Sequence, residues 1–217
     1  MLNSFKIVSE DIESALRSSA LHGVLVACFS RHRLVSHLAT NFAYKLLATG
    51  IFEAAVLGAL AIAPSGVVGP RAAKWGIVTT GAYWEKELAA DVDVFLGKQQ
   101  LQQPQQDGKD GGGGGGGGTS SFAGVFSTGL NAGDFHSVPP EEVTKRLGDA
   151  TRKLLDKKDV RCVIMGCAGM AGLEEIIRSV AIEKYGELEG REVLVIDSVK
   201  AGVMQLEQMV RYNKVFR

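Results

Sequence analysis

Val163-Ile164-Met165-Gly166-Cys167-Ala168-Gly169-Met170-Ala171-Gly172 is the stretch from which the rest of the chain can be read. Three large apolar residues end in a glycine, a cysteine and a run of small residues. That is the pattern of a buried parallel strand handing over to a helix, with one side chain exposed at the hand-over. In an open α/β sheet the carboxyl ends of strands are where ligands bind, and the N–H groups that open the next helix attract anions and lower a thiol pKa. Cys167 is therefore a candidate for chemistry, weighed against the ordinary use of a lone cysteine as a small core hydrophobe.

A second copy of the pattern shifts that balance. Val24-Leu25-Val26-Ala27-Cys28-Phe29-Ser30 has the same layout, an apolar run, a small residue and a cysteine at the strand's end, and it too follows a helix-like segment. Two matching cysteines at two matching strand ends predict two lobes facing one cleft.

Composition narrows the setting. With 46% hydrophobic residues, 217 residues can form a sizeable core. Lys+Arg and Asp+Glu are both 24, so the net charge is zero and there is no basic stripe to track a phosphate backbone, which argues against nucleic acid as a partner. Three cysteines without C-x-x-C spacing make neither a disulfide framework nor a zinc site. The first residues lack a charged-then-apolar signal pattern, and the longest apolar run, Ala54 to Ala63, is too short to span a bilayer. The expectation is a cytoplasmic chain with a small-molecule substrate and no membrane partner; a homo-oligomer is compatible with it.

Read in order, Ser9 to Leu21 predicts an amphipathic helix with Ser9 as N-cap, and Val24 to Ala27 the first strand. His32 and His37 follow in a polar stretch and read as solvated or supporting side chains rather than metal ligands. Gly50 to Leu60 starts as a turn or short strand and continues as an alanine-rich helix, with Glu53 at its start as a cap. Trp75 to Gly81 is strand then loop, and the hydroxyls of Thr79 and Thr80 at its exit either hold a ligand oxygen or satisfy the turn. Tyr83 to Phe95 is the next helix, with Glu85, Lys86 and Glu87 on a solvated face. Gln99 to Ser121, glutamine-rich and then carrying eight consecutive glycines, reads as a flexible surface insert. Beyond it come a strand from Phe122 to Thr128, a Gly- and Asx-rich loop to His136, a helix from Pro139 to about Asp156, and the strand Val160 to Met165, in which Cys162 is core packing. A helix from Gly172, a strand ending at Asp197 and a last helix from Val199 to Arg211 complete the pattern.

Strand and helix alternate throughout, which predicts an α/β fold of two similar lobes with mainly parallel sheets flanked by helices and the active site between them. The divisions expected are a first lobe over 1–98, the insert over 99–121, a second lobe over 122–198 and a closing C-terminal helix over 199–217. Two thiols on opposite sides of one carbon suit one task in particular. A thiolate removes a proton from an acidified C–H beside a carbonyl, and a thiol delivers one to the opposite face, inverting the stereocentre. Loop N–H groups after Cys28 and Cys167 would stabilise the enolate oxygen, and the reaction needs no metal or organic cofactor.

Four segments carry a family resemblance: Gly50-Ile-Phe-Glu-Ala-Ala, Gly76-Ile-Val-Thr-Thr-Gly-Ala-Tyr-Trp-Glu, Ser127-Thr-Gly-Leu-Asn-Ala-Gly-Asp-Phe-His136 and Met165-Gly-Cys-Ala-Gly-Met-Ala-Gly172. Together they resemble the hydantoin racemase branch of the aspartate/glutamate racemase superfamily, and its fungal members most. The resemblance implies cofactor-independent racemisation of five-membered cyclic ureides such as 5-substituted hydantoins or allantoin. It maps the catalytic pair onto Cys28 and Cys167, with substrate contacts at Ser30, Thr79, Thr80, Ala168 and Gly169. Family members begin with a strand ending in an Asn-Pro-Asn loop. Here 27 residues precede Cys28 and Asn3 is followed by Ser4, so the resemblance implies an N-terminally truncated first lobe with an open sheet edge. Two alternatives stay open: a catalytically silent relative that binds a metabolite or partner, and a two-thiol decarboxylase or isomerase.

Overall fold

The computed structural model describes residues 2–17, 21–43, 45–63, 73–97 and 121–216. Most of the Gln- and Gly-rich stretch lies outside these residues. Its last member, Ser121, is described and is buried: its Oγ accepts the indole N–H of Trp75 at 3.2 Å, so it belongs to the core edge rather than to a surface insert.

Two parallel sheets form the frame. The smaller pairs β1 (Gly23–Val26) with β2 (Leu47–Gly50), and among the described residues β1 has no other strand beside it. The larger has the order β4-β3-β5-β6, from β3 (Lys74–Thr79), β4 (Phe122–Ser127), β5 (Val160–Met165) and β6 (Leu194–Asp197). Sheet membership thus divides the chain between β2 and β3, earlier than the composition change at residue 98. The cause is pairing: Trp75 to Val78 run in register with Cys162 to Met165, which makes β3 an inner strand of the larger sheet.

The apolar runs of β3 and β5 are buried on both faces, as inner parallel strands between helical layers must be. Alternation sorts them. Trp75, Ile77, Cys162, Ile164 and Ile196 point to one face, where α3 (Ile51–Ile62) and α4 (Tyr83–Phe95) cover them. Val78, Val163, Met165 and Val195 point to the other, against α6 (Pro140–Leu155), α7 (Glu174–Tyr185) and the short α5 (Asp134–Ser137). α6 starts with Pro140 in its first turn, where the missing N–H costs nothing, and buries Val143, Leu147, Ala150 and Leu154 at helical spacing. On one face of the smaller sheet, Val26 meets Ile12 of α1 (Leu2–Arg17) and Leu38 of α2 (Arg33–Asn41). Ser9 lies within α1 rather than capping it, with its Oγ 3.0 Å from His37 Nε2. α8 (Glu187–Arg191) has too little apolar periodicity to be read from sequence.

The two sheets exchange helices. α3 leaves β2 in the smaller sheet and lays Ile51, Phe52, Ala55 and Val56, all fully buried, on the larger. Side chains the size of isoleucine or phenylalanine contribute about 1.5–3 kcal/mol each when fully buried. α9 (Ser198–Val215) leaves β6 and packs back on β1 and β2. A Cβ on Gly202 would lie 2.8 Å from Leu25 Cδ1 and 3.0 Å from Ile51 Cγ2, so glycine lets α9 come this close without displacing either side chain. No helix among the described residues is long and apolar enough to cross a membrane.

Candidate active site

Cys28 lies just beyond β1. Ser30 N–H donates to Cys28 O at 3.0 Å and His32 N–H donates to Ser30 O at 2.7 Å, which folds residues 28–32 into a tight loop. His32 ends it by accepting the Leu34 N–H on Nδ1 at 3.2 Å, so this histidine is the N-cap of α2. The Cys28 thiol is exposed, with Ser30 Oγ 3.5 Å away. Arg31 N–H reaches across to Asp91 Oδ2 of α4 at 3.1 Å and ties the loop to the layer over the larger sheet.

Cys167 follows β5. Gly166 N–H donates to Val78 O at 2.7 Å, extending the ladder, and Thr79 Oγ1 donates to Gly166 O at 3.0 Å. Gly166, the residue before Cys167, is therefore held by β3 at both its N–H and its C=O. Cys167 Sγ accepts the Gly169 N–H at 3.3 Å, and Cys167 O accepts the Met170 N–H at 3.1 Å. The helix expected from Gly172 begins at Glu174; only a three-residue 3₁₀ turn, Ala168–Met170, directly follows the cysteine. The thiol is thus served by individual N–H groups rather than by the start of a long helix. Burial pushes the Cys167 thiol above its usual range, the Gly169 N–H pulls it back, a negative charge on Cys28 pushes it further up, and the Met170 N–H opposes both. That the charge on one thiol is felt by the other puts the two cysteines in electrostatic reach. Cys162, buried inside β5, is pushed up to about 12 by burial alone and is inert.

Packing around Gly166 brings the two cysteine turns together. A Cβ there would meet Ile77 Cγ2 at 2.6 Å, Val78 O at 3.0 Å and Cε1 of Phe29 at 3.3 Å. The residue after Cys28 therefore sits on the residue before Cys167, and glycine makes the approach possible. Phe29 is fixed from behind by Phe52, with ring centroids 5.4 Å apart in an edge arrangement. The loop after β4 supplies a third side, since a Cβ on Gly169 would lie 2.5 Å from Ala132 O.

The remaining candidates separate by what their polar atoms already do. The Thr79 hydroxyl is committed to Gly166 O, whereas Thr80, also buried, makes no side-chain hydrogen bond with a described residue and offers only its carbonyl, to Gly129 N–H at 3.0 Å and Thr128 Oγ1 at 3.4 Å. Ser30 and Ala168 flank the two cysteines. Glu85, read from the sequence as solvated, instead accepts both Ser127 N–H at 2.8 Å and Ser127 Oγ at 2.7 Å and pins the end of β4. Its position in the first turn after a strand exit was the available signal. Glu53 has one carboxylate oxygen buried without a hydrogen-bond partner, and burial raises its pKa, opposed by its own backbone N–H and then by Arg31. Asp197 caps α9, with Oδ1 accepting Val199 N–H at 2.8 Å and Lys200 N–H at 3.1 Å.

Residues 115–206 match the family model described as Asp/Glu/hydantoin racemase. The chain is 29% identical over 189 residues to the uncharacterized protein C1F7.10 of Schizosaccharomyces pombe, a match covering 87% of this chain and 63% of that protein. It is 26% identical over 209 residues to the protein DCG1 of Saccharomyces cerevisiae, covering 95% of this chain and 72% of that one. The chain thus spans less than two thirds of the length of the fission-yeast relative. Among solved structures the fold is similar to an allantoin racemase, AllR, from Pseudomonas fluorescens (TM-score 0.57, 20% identity, 88% of this chain and 63% of that one). It is also similar to the glutamate racemase RacE1 from Bacillus anthracis (TM-score 0.55, 14% identity, 98% and 66%).

Proposed function

We propose that this chain, whose residues 115–206 match the Asp/Glu/hydantoin racemase family model, is a cofactor-independent racemase of cyclic ureides that moves protons with Cys28 and Cys167. The observation that carries the reading is the meeting of the two cysteine turns through Phe29 and Gly166, with the charge on one thiol felt by the other.

The two thiols differ in a way that suits opposite roles. Cys167, raised by burial, rests as the protonated thiol and is the proton donor. Cys28, exposed beside Ser30, acts as the thiolate base that takes the proton from the ring C–H of the substrate. Once Cys28 is a thiolate, its charge holds the proton more firmly on Cys167, so the pair carries a single negative charge. C–H cleavage puts the electron pair on the enolate, the Cys167 proton adds to the opposite face of the same carbon, and the inverted product leaves Cys28 protonated and Cys167 ionised. The reverse reaction starts from that state. The Gly169 and Met170 N–H groups, already directed at Cys167, stabilise it when it becomes the thiolate. The open hydroxyl of Thr80 and the Ala168 turn are the groups on the cleft side suited to a ureide oxygen. The allantoin racemase among the structural neighbours supports a ring substrate with two N–H groups and an acidified C–H.

Deuterium oxide tests this. Enantiopure allantoin or a 5-substituted hydantoin incubated with the protein should lose optical rotation and take up one deuterium at the stereocentre. Cys28→Ser and Cys167→Ser should each abolish racemisation, and each should retain slow exchange from only one enantiomer. Neither rotation loss nor deuterium uptake across a panel of ureides and amino acids would refute the proposal.

A further inference from the structure

Glu53 is built into the fold at the carboxyl end of the smaller sheet. Gly50, the last residue of β2, pairs in register with Val26 of β1, two residues before Cys28. A Cβ on Gly50 would lie 2.3 Å from Glu53 Oε2 and 3.2 Å from Val35 Cγ2, so the carboxylate fills the space over the bare Cα, with α2 packed on the same spot. There Oε2 is buried and accepts no hydrogen bond. A helix cap would hand its oxygens to N–H groups. A buried carboxylate oxygen left without a donor weakens the fold instead, and glutamine would remove the charge while keeping the shape.

The charges around Glu53 belong to the Cys28 turn and to α4. Arg31 acts on it most strongly, by attraction; Asp91 of α4 repels it, and His32 attracts it. Asp91 Oδ2 also accepts the Arg31 N–H at 3.1 Å. One carboxylate thus takes the backbone of Arg31 and the other attracts its charge, and both come from the helices that cover one face of the larger sheet. We infer that Glu53 is a positioning residue of the proton-transfer site: with Asp91 it fixes the Cys28 turn against α3 and α4, and so sets Cys28 opposite Cys167. The inference rests on the two-cysteine reading of function. It gives the buried charge a use, since a group that weakens the fold holds the site in order. It also makes the turn sensitive to acid. Burial raises the Glu53 pKa, its own N–H and Arg31 oppose that, Asp91 adds to it and His32 opposes it. Once protonated, Glu53 no longer attracts Arg31, and the turn loosens.

The full chain is compared with Glu53→Gln, Arg31→Met and the double variant; methionine keeps the N–H that Asp91 accepts and removes the charge. With enantiopure allantoin, each single variant should lower kcat about tenfold and leave KM within about twofold. The double variant should also lose about tenfold rather than a hundredfold, because one clamp is broken in all three. The wild-type advantage over Glu53→Gln should shrink as pH falls through the raised Glu53 pKa, where both side chains are neutral. Near pH 7 Glu53→Gln should nevertheless melt higher than wild type, which a damaged fold cannot do. Amide hydrogen exchange over residues 30–32, whose N–H groups bond to Cys28 O, Asp91 Oδ2 and Ser30 O, reports the turn without turnover and should be about tenfold faster in all three variants. Arg31→Met, at an exposed residue, serves if Glu53→Gln does not fold. Losses that multiply in the double variant, a wild-type kcat or a lowered melting temperature in Glu53→Gln, or unchanged exchange in the turn would overturn the inference. If wild type racemises no ureide, the reading of function fails, and the exchange rates still decide whether Glu53 holds the turn.

Discussion

Replacing Thr79 with valine should destabilise the protein, whereas the same change at Thr80 should not. Both side chains are buried at the exit of β3, and valine keeps their volume and branching. At Thr79 the change removes a hydroxyl that donates to Gly166 O at 3.0 Å, leaving that carbonyl without this donor inside the core. A buried hydrogen bond is worth about 0.5–1.5 kcal/mol net, and an acceptor left unpaired costs about 1–3 kcal/mol. A loss of about 1–2 kcal/mol follows for Thr79→Val. For a chain of this length each kcal/mol moves the melting temperature by about 2–4 °C, so the midpoint should fall by about 2–8 °C. Thr80→Val removes a hydroxyl with no bond to a described residue and should stay within about 0.5 kcal/mol of wild type. The carbonyl released in the Thr79 variant belongs to the peptide that carries Cys167, so proton exchange should slow as well, by about tenfold if the turn gains about 1.4 kcal/mol of freedom. Urea unfolding followed by circular dichroism measures the first effect, and deuterium uptake by the substrate the second. If Thr79→Val unfolds with the wild-type midpoint while substrate affinity falls, Thr79 contacts the ligand instead of holding Cys167, and the reasoning fails.

Three further outcomes are expected. Gly166→Ala places a methyl 2.6 Å from Ile77 Cγ2 and against Phe29, an overpacking worth about 1–3 kcal/mol, and should lower the denaturation midpoint while increasing exposure of Cys28 to alkylation. Iodoacetamide followed by mass spectrometry should label exposed Cys28 first, Cys167 more slowly with a rate still rising above the usual thiol range, and Cys162 only on unfolding. Glu53→Gln should raise the melting temperature near pH 7 and lose that advantage in acid. Its carboxyl pKa is raised on folding, so the folded state binds the proton more tightly and wild-type stability falls as pH rises through that raised pKa. Thermal melts from about pH 4 to 8 measure it, and an advantage for the glutamine variant that grows in acid would contradict the assignment.

Much of this arrangement is legible in the residues because parallel strands buried on both faces leave uninterrupted apolar runs. Val160–Met165 and the helix Tyr83–Phe95 can be bounded from sequence alone, and Cys28 and Cys167 stand out because each interrupts such a run at a strand end. Sheet membership is less legible. Nothing local in Lys74–Thr79 says that its partners are Phe122–Ser127 and Val160–Met165 rather than Leu47–Gly50, since register is decided by distant residues. Polar atoms are less legible still. Thr79 and Thr80 are identical neighbours in sequence, and only the carbonyl of Gly166 distinguishes them. The same holds for Glu85, which looks like one of three charges on a helix face until Ser127 is placed beside it.

The exchange of helices between the sheets has a consequence in time. β1 and β2 precede the larger sheet in the chain, but the helix that packs on both of them, α9, follows the last strand of that sheet. Contacts between such distant segments pay their loop-closure entropy before they give any stabilisation, which slows folding and leaves the first sheet dependent on the last helix. The order of assembly therefore runs against the order of the chain: the Cys167 side can be finished first, and the Cys28 side is locked only when α9 returns.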